Sequence, residues 1–167
     1  LSHELIDLIE AGGQADLIPA FCTPVPMAII TEMLGVPYSM ASQMLDWSHK
    51  MVAMYQFNRN RETEESAVRA TLEFSAYIRG YVEDRRGHPG DDLISTLIAA
   101  EEGGEKLSTD ELIATCILVL NAGHEATVHA LGNGVKALLE HQIDPGTAFA
   151  NPAATEACVE ECLRIDP

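Results

Sequence analysis

The 167-residue sequence predicts an all-α fold. Apolar residues recur at steps of three and four along almost the whole chain, and no segment alternates apolar and polar residues as a half-buried strand does. Glycine, proline and capping residues separate these periodic segments. Apolar residues make up 47% of the sequence, which is typical of a folded protein. We therefore expect one helical domain over residues 1–167.

The first two predicted helices are bounded by glycine and proline. Residues 1–11 carry apolar side chains at helical spacing and stop at Gly12-Gly13. In the segment "TPVPMAIITEMLGVP", two prolines mark the start of the next helix, and Gly35 with Pro37 marks its end. Proline fits the first helical turn and glycine fits the position after the last one.

Three further helices follow before the longest one. A helix over residues 39–55 contains several methionines, which fill a core or face a variable ligand. A polar connection leads to an amphipathic helix over residues 62–86. A shorter helix begins at Asp91-Asp92, continues to about residue 101 and ends at Gly103-Gly104.

The longest helix begins at "STDE", residues 108–111, which matches a capping box. It should continue to about residue 141. Gly123, Gly132 and Gly134 lie inside it, and each costs up to about 1 kcal/mol relative to alanine. Each glycine therefore indicates a bend or a close approach of another element. A last helix begins near Pro152.

The charge excludes two classes of partner. The sequence has 26 acidic and 10 basic residues, a net charge of −16. Such a surface repels nucleic-acid phosphates and anionic membranes. The longest apolar run, residues 113–120, is far shorter than the ~20 residues of a membrane span. No signal-peptide pattern is visible, so we expect a cytoplasmic location.

The four cysteines form no CxxC pair and predict reduced, mostly buried thiols. Two of them, Cys158 and Cys162, are four residues apart on a predicted helix and could share one face. A two-thiol metal site without further ligands is weakly supported. We predict no metal site formed by protein side chains alone.

The segment "LVLNAGHEATVHALG" places ionisable residues inside the longest predicted helix. Its "HEATVH" resembles the HExxH zinc motif of hydrolases with one extra residue. His124 and His129 are five residues apart and point about 140° apart around a regular helix. They therefore cannot chelate one zinc ion unless a rare π-bulge intervenes.

A second pattern in this segment is a stripe at steps of three and four. The stripe consists of Leu118, Ala122, Glu125, Ala126 and His129, with Asn121 at its border. Small residues let a flat or bulky group approach the backbone, and an adjacent acid handles protons. Alternatively, Ala122 and Gly123 permit close helix packing and Glu125 reaches the surface.

Several segments together resemble one known family. "NAGHEATVHALGNGVKALLEH" resembles a long central helix with the motif [AG]-G-x-[DE]-T-[TS], and "EECLR" carries an ExxR motif as Glu161 and Arg164. "PVPMAIITEMLGVP" resembles a helix that ends in a Gly-x-Pro turn. In their order and spacing, these segments resemble the cytochrome P-450 superfamily in its soluble bacterial form, in which that helix and turn precede the helices that roof the substrate site. The resemblance implies a partial cytochrome P-450 fold, with residues 1–167 as a fragment of a larger haem-monooxygenase domain.

The resemblance implies haem as the cofactor of the whole protein. In the family, a cysteine in the context Phe-x-x-Gly-x-x-x-Cys-x-Gly is the axial ligand of the iron. None of the four cysteines here has that context. We therefore expect this chain by itself to be haem-free and inactive, and to self-associate through the apolar stripe.

The family's function implies a reaction and partners. The expected activity is insertion of one oxygen atom from O2 into a small organic substrate, with electrons from a ferredoxin-type or flavin-type reductase. The alternatives are a non-enzymatic, acidic helical interaction module and, with less support, a zinc hydrolase.

Residue roles also follow from the resemblance. Ala122 and Gly123 match positions near the oxygen-binding site, where Ala126 also faces the cofactor. Leu118 and Asn121 match positions that contact haem or substrate. Further substrate candidates lie in the segment that resembles the mobile roof: Met51, Met54, Tyr55 and Phe57.

Glu125 matches the acid that relays protons, whose usual partner is the alcohol of the next residue. Here that residue is Ala126, and the hydroxyl sits on Thr127, about 100° further around the helix. Thr127 therefore cannot simply replace it. Either the substrate or an ordered water supplies the hydroxyl, or proton delivery is less efficient and peroxide is released. Glu161 and Arg164 should form the structural pair that braces the haem loop.

Overall fold

The computed structural model describes residues 1–102 and 107–165, except the side chains of residues 101 and 102. The predicted stop at Gly103-Gly104 lies outside this range. The described part is helical and contains no strand, so the all-α prediction is confirmed. Its α-helices are α1 (Ser2–Gly12), α2 (Pro24–Leu34), α3 (Ala41–Val52), α4 (Arg61–Gly87), α5 (Leu93–Glu102), α6 (Thr109–Glu140), α7 (Pro145–Ala148) and α8 (Pro152–Ile165).

The helix predicted over residues 39–55 is shorter than expected. Its two ends tighten into 3₁₀ turns, Tyr38–Met40 and Ala53–Tyr55, on either side of α3. Tight turns of this kind are common at helix ends. The sequence analysis also missed the π-helical turn Ile18–Cys22 and the short α7, whose first turn is capped by Asp144.

The chain forms two compact units. One contains Leu1–Val25 and Glu125–Pro167, and the other contains Pro26–His124. The helix α6 runs through the boundary between these two units. Its residues 109–124 belong to the second unit, and its residues 125–140 belong to the first unit. None of the helices in the described ranges is both long enough and apolar enough to cross a membrane.

The main hydrophobic core lies in the second unit. Side chains from α2 to α6 form it, and the largest fully buried ones are Met27, Leu34, Met44, Phe74, Ile78, Ile94, Leu112 and Leu120. Met44 and Met51 are buried in this core, which favours core filling for these two of the methionines.

Trp47 joins α3 to α4 within the same unit. Its indole Nε1 donates a hydrogen bond to Glu73 Oε2 at 2.8 Å. The ring packs edge-on against Phe74, with 5.8 Å between ring centroids. The buried ring therefore has a partner for its one polar atom, as a buried tryptophan requires.

An ion pair between Arg85 and Asp92 connects three helix ends of the second unit. Arg85 Nε donates to Asp92 Oδ2 at 2.7 Å, and Arg85 Nη2 donates to the carbonyl oxygen of Gly35 at 3.1 Å. Asp92 Oδ1 accepts from the backbone N–H of Ser95 at 2.7 Å, which caps α5. The Asp92 side chain is 3% exposed and that of Arg85 is 20% exposed. These hydrogen bonds offset the free-energy cost of burying the two charges.

Gly35 is required where this ion pair meets the end of α2. Its φ of +69° lies in the left-handed region, which side chains other than glycine rarely adopt. A Cβ atom at this position would also overlap the carboxylate of Asp92. The predicted helix end at Gly35 is thus confirmed, and the backbone there lies directly against the buried charge.

We expect Asp92→Asn to lower the free energy of unfolding by about 3 kcal/mol, because it removes the buried carboxylate that pairs with Arg85 and leaves only the more exposed Asp84 beside that charge. Asp91→Asn is the matched control. Asp91 is exposed, and this substitution should change stability by less than about 0.5 kcal/mol. Chemical denaturation of the three proteins measures both values.

The difference between wild type and Asp92→Asn should depend on pH. Burial raises the pKa of Asp92, but the hydrogen bonds from Ser95 and Arg85 outweigh this and hold it below its usual value of 3.8. The stabilisation is therefore fully present above the unfolded-state pKa and is lost as pH falls through the lower folded-state pKa. A difference that stays constant down to pH 2 would contradict this assignment.

Candidate functional site

The central helix α6 begins at the predicted capping box. The backbone N–H of Ser108 donates to Glu111 Oε2 at 2.8 Å, and the backbone N–H of Glu111 donates to Ser108 Oγ at 3.2 Å. The first of these bonds is the main reason why the pKa of Glu111 is lowered. The capping box is thus confirmed, and it fixes the starting residue of the helix that carries the candidate site.

The predicted stripe lies on an open side of α6. In the second unit Leu118 is 64% exposed and Ala122 is exposed. In the first unit Ala126 and His129 are exposed, and Glu125 is half-buried. Because the two alanines carry only methyl groups, a flat ligand can come close to the helix backbone at each of them.

Two glycines of α6 are explained by close packing. A Cβ atom on Gly123 would lie 3.4 Å from Ile30 Cδ1, so this residue faces α2 within the second unit. A Cβ atom on Gly132 would lie 2.7 Å from Ile18 Cδ1 within the first unit. Of the two explanations left open by the sequence, close packing applies to Gly123, whereas Ala122 points to the open side.

The two histidines of "HEATVH" differ in environment. His124 is buried, with its ring centroid 5.5 Å from that of His49, whereas His129 is exposed. This is the divergence that a five-residue spacing predicts on a regular helix. Among the side chains of residues 1–100 and 107–165, no three from histidine, cysteine or acidic residues are grouped so that they could hold a metal ion.

The side chain of Glu125 is half-buried. Among the described residues this side chain has no hydrogen bond and no ion pair. The adjacent Ala126 offers no hydroxyl. Thr127 instead lines a cavity with Val159 and Leu163 of α8, and its position lies about 100° around α6 from that of Ala126. The roles of these residues in catalysis stay predictions.

A groove in the second unit gathers several of the predicted substrate residues. It has a volume of about 540 Å³ and is lined by Met51, Met54, Tyr55, Glu64, Ala67, Val68, Thr71, Leu72, Ile117 and Asn121. Phe57 is fully exposed and does not line it, and neither does Leu118. Sequence analysis missed the contribution of α4, because an amphipathic pattern shows which face is apolar but not what that face lies against.

Asn121 is one of the polar residues that line this groove, with Tyr55, Glu64 and Thr71. Its Nδ2 lies 4.0 Å from the sulfur of Met51. Its Oδ1 is buried and has no hydrogen-bond partner among the described residues. A buried carbonyl oxygen without a partner is costly. Because this oxygen is closed off from solvent, a ligand in the groove would reach it only if the Asn121 side chain moved.

Glu161 and Arg164 form the predicted pair on α8. Arg164 Nε donates to Glu161 Oε2 at 2.7 Å, and Arg164 Nη2 donates to Glu161 Oε1 at 2.6 Å. The Arg164 side chain is 71% exposed. The two-pronged hydrogen bond lowers the pKa of Glu161. The pairing is confirmed, and its role in bracing a haem loop stays a prediction.

Comparison with known proteins identifies the family. No family model matches the chain. The chain is 37% identical over 165 residues to "Cytochrome P450 CYP107DY1" of Priestia megaterium, covering 98% of this chain and 39% of that protein. It is 39% identical over 164 residues to "Polyketide biosynthesis cytochrome P450 PksS" of Bacillus subtilis, with the same coverage.

The fold comparison agrees with the sequence comparison. The chain superimposes on P450BioI, solved in complex with a fatty-acid-ligated acyl carrier protein, with a TM-score of 0.86 and 32% identity. The match covers 98% of this chain and 42% of that one. The sequence and fold similarities together match this chain to one segment of a haem-protein fold. The chain belongs to the cytochrome P450 family, whose cofactor is haem, and it spans about two fifths of the length of the relatives it matches.

Proposed function

We propose that this chain is the central part of a haem-thiolate monooxygenase, contributing the helix beside the haem and part of the substrate site. The observation that carries the proposal is the open side of α6, where the exposed Ala122 and Ala126 flank an unpaired Glu125. The two methyl groups leave room for a planar macrocycle, and Leu118 offers it an apolar contact. The side chains on this helix therefore fit haem.

The chain's own residues would position substrate and deliver protons. Bound haem supplies oxygen activation and electron transfer. Glu125 would hold a proton at its carboxyl group on the open side of α6. The apolar part of the groove wall would bind an organic substrate and exclude water, with the Asn121 side chain beside it.

The remaining parts of the proposal concern partners and location. Electrons would come from a ferredoxin-type or flavin-type reductase, and the protein would act in the cytoplasm. An acidic interaction module is not favoured, because the chain's relatives are cytochrome P450s along 98% of its length.

An absorption spectrum of the reduced, carbon monoxide-treated protein tests the proposal. None of the four cysteines has the sequence context of the haem ligand, so we expect no haem-thiolate band from these 167 residues alone. A longer protein that combines this chain with a haem-cysteine loop should show the band. Its absence there, despite bound haem, would overturn the proposed function.

In that longer protein, Ala126→Thr should increase the fraction of reductant that appears in product. The substitution places a hydroxyl directly after Glu125, where it can pass protons on. Product and peroxide are measured together on the true substrate. Unchanged or poorer coupling would instead indicate that the substrate supplies the hydroxyl.

Two further variants separate this effect from a change in helix stability. Ala114→Thr introduces the same residue at another exposed position of α6 and should leave coupling unchanged. In a Glu125→Gln background, Ala126→Thr should give no gain, because the added hydroxyl then has no acid to act with. A gain without Glu125 would contradict the proton-relay role.

We also expect the 167-residue chain to self-associate, with a second copy covering the exposed stripe that includes Leu118. Light scattering over a concentration series measures this. Leu118→Gln should weaken association, whereas Leu8→Gln, at a comparably exposed position of α1, should not. A monomer at high concentration would contradict the prediction.

A further inference from the structure

The four cysteines fall into two groups. Cys22 and Cys116 are fully buried, and burial raises the pKa of Cys116 to about 11, so both are shielded from reagents. Cys158 and Cys162 are free thiols on α8 and are half-buried. The prediction of buried thiols therefore holds for Cys22 and Cys116 only.

Cys158 and Cys162 lie side by side. A four-residue step on α8 places them one turn apart on the same face. Burial is the first cause of the raised pKa of Cys162, and the neighbouring Cys158 side chain raises it further. The Cys162 thiol also lies 3.9 Å from the carbonyl oxygen of Gly134.

Both thiols line the same two cavities of the first unit. One, of about 320 Å³, also has Leu138, Ile143 and Ile165 in its wall. The other, of about 400 Å³, is lined by further apolar residues of α6 and α8 and by Phe149. An apolar group attached to an atom held between the sulfurs would thus find apolar surface on either side.

The surroundings do not supply a third ligand for a hard or borderline metal ion. Glu161 is held by two hydrogen bonds from Arg164. His141 has its Nδ1 3.0 Å from the carbonyl oxygen of Ala137. Within the described chain, no group of three potential metal ligands is present. Two soft sulfur donors with apolar walls favour a thiophilic centre that needs only two protein ligands.

We propose that Cys158 and Cys162 form a dithiol site for monosubstituted trivalent arsenicals and related soft electrophiles with two exchangeable ligands. For an arsenical R–As(OH)2, two As–O bonds break and two As–S bonds form. Each thiol proton leaves with a hydroxide as water, and arsenic stays trivalent. The organic group R occupies one of the apolar cavities.

Phenylarsine oxide is the probe, and its binding to the 167-residue chain is measured by titration and by intact mass. We expect one arsenic per chain and the loss of two titratable thiols. Cys158→Ala and Cys162→Ala should each weaken binding by about 100-fold or more, because two linked contacts bind far more tightly than either one alone.

A displaced pair is the matched control. The double variant Cys162→Ala/Glu160→Cys keeps the number of thiols but puts the second one about 200° around α8 from Cys158. It should bind as weakly as the single variants. Tight binding by this variant or by either single variant would overturn the proposal.

The native chain alone provides a second test that is independent of how the variants fold. Dithiothreitol should release the bound arsenical, whereas a monothiol at the same thiol concentration should not, since only a dithiol matches the chelate. Equal release by both reagents would show attachment through a single sulfur and overturn the dithiol site.

Discussion

The buried ion pair between Arg85 and Asp92 is the contact on which the second unit depends most directly. It joins the end of α4 to the start of α5, and through the Gly35 carbonyl it reaches the turn after α2. A buried charge tolerates little displacement of its partner, because a lengthened hydrogen bond leaves it uncompensated. The core helices α2, α4 and α5 are therefore joined at these ends.

Small residues of the central helix α6 have different surroundings. Gly123 faces Ile30, and Gly132 faces Ile18. Ala122 and Ala126 are exposed, whereas Ala137 is buried. The position of a small residue around the helix therefore decides whether it packs against a neighbour or leaves the helix surface open. Thr127 illustrates this dependence, since a shift of one residue turns its side chain about 100° around the helix from the position of Ala126.

Most of the helix boundaries could be predicted, because they depend on local signals. Gly35, the "STDE" capping box and the prolines of α2 act within a few residues of where they stand. The Arg85–Asp92 contact with Gly35 could not be predicted, since it joins residues 50 apart in sequence. Likewise, the spacing of Met51, Met54 and Tyr55 did not show that α4 forms the other wall of their groove. The proton-relay role proposed for Glu125 came only from family resemblance, because the half-buried, unpaired state of its side chain is a tertiary property.

The contact of Trp47 with Glu73 and Phe74 has a practical consequence for optical measurements. Trp47 is the only tryptophan in the sequence, and it lies in the core of the second unit. Fluorescence-detected unfolding therefore follows the packing of α3 on α4. The half-buried thiols of Cys158 and Cys162 report instead on the first unit through their rate of chemical modification. The chain thus contains an intrinsic reporter for each unit, and comparing the two signals would show whether the units unfold together.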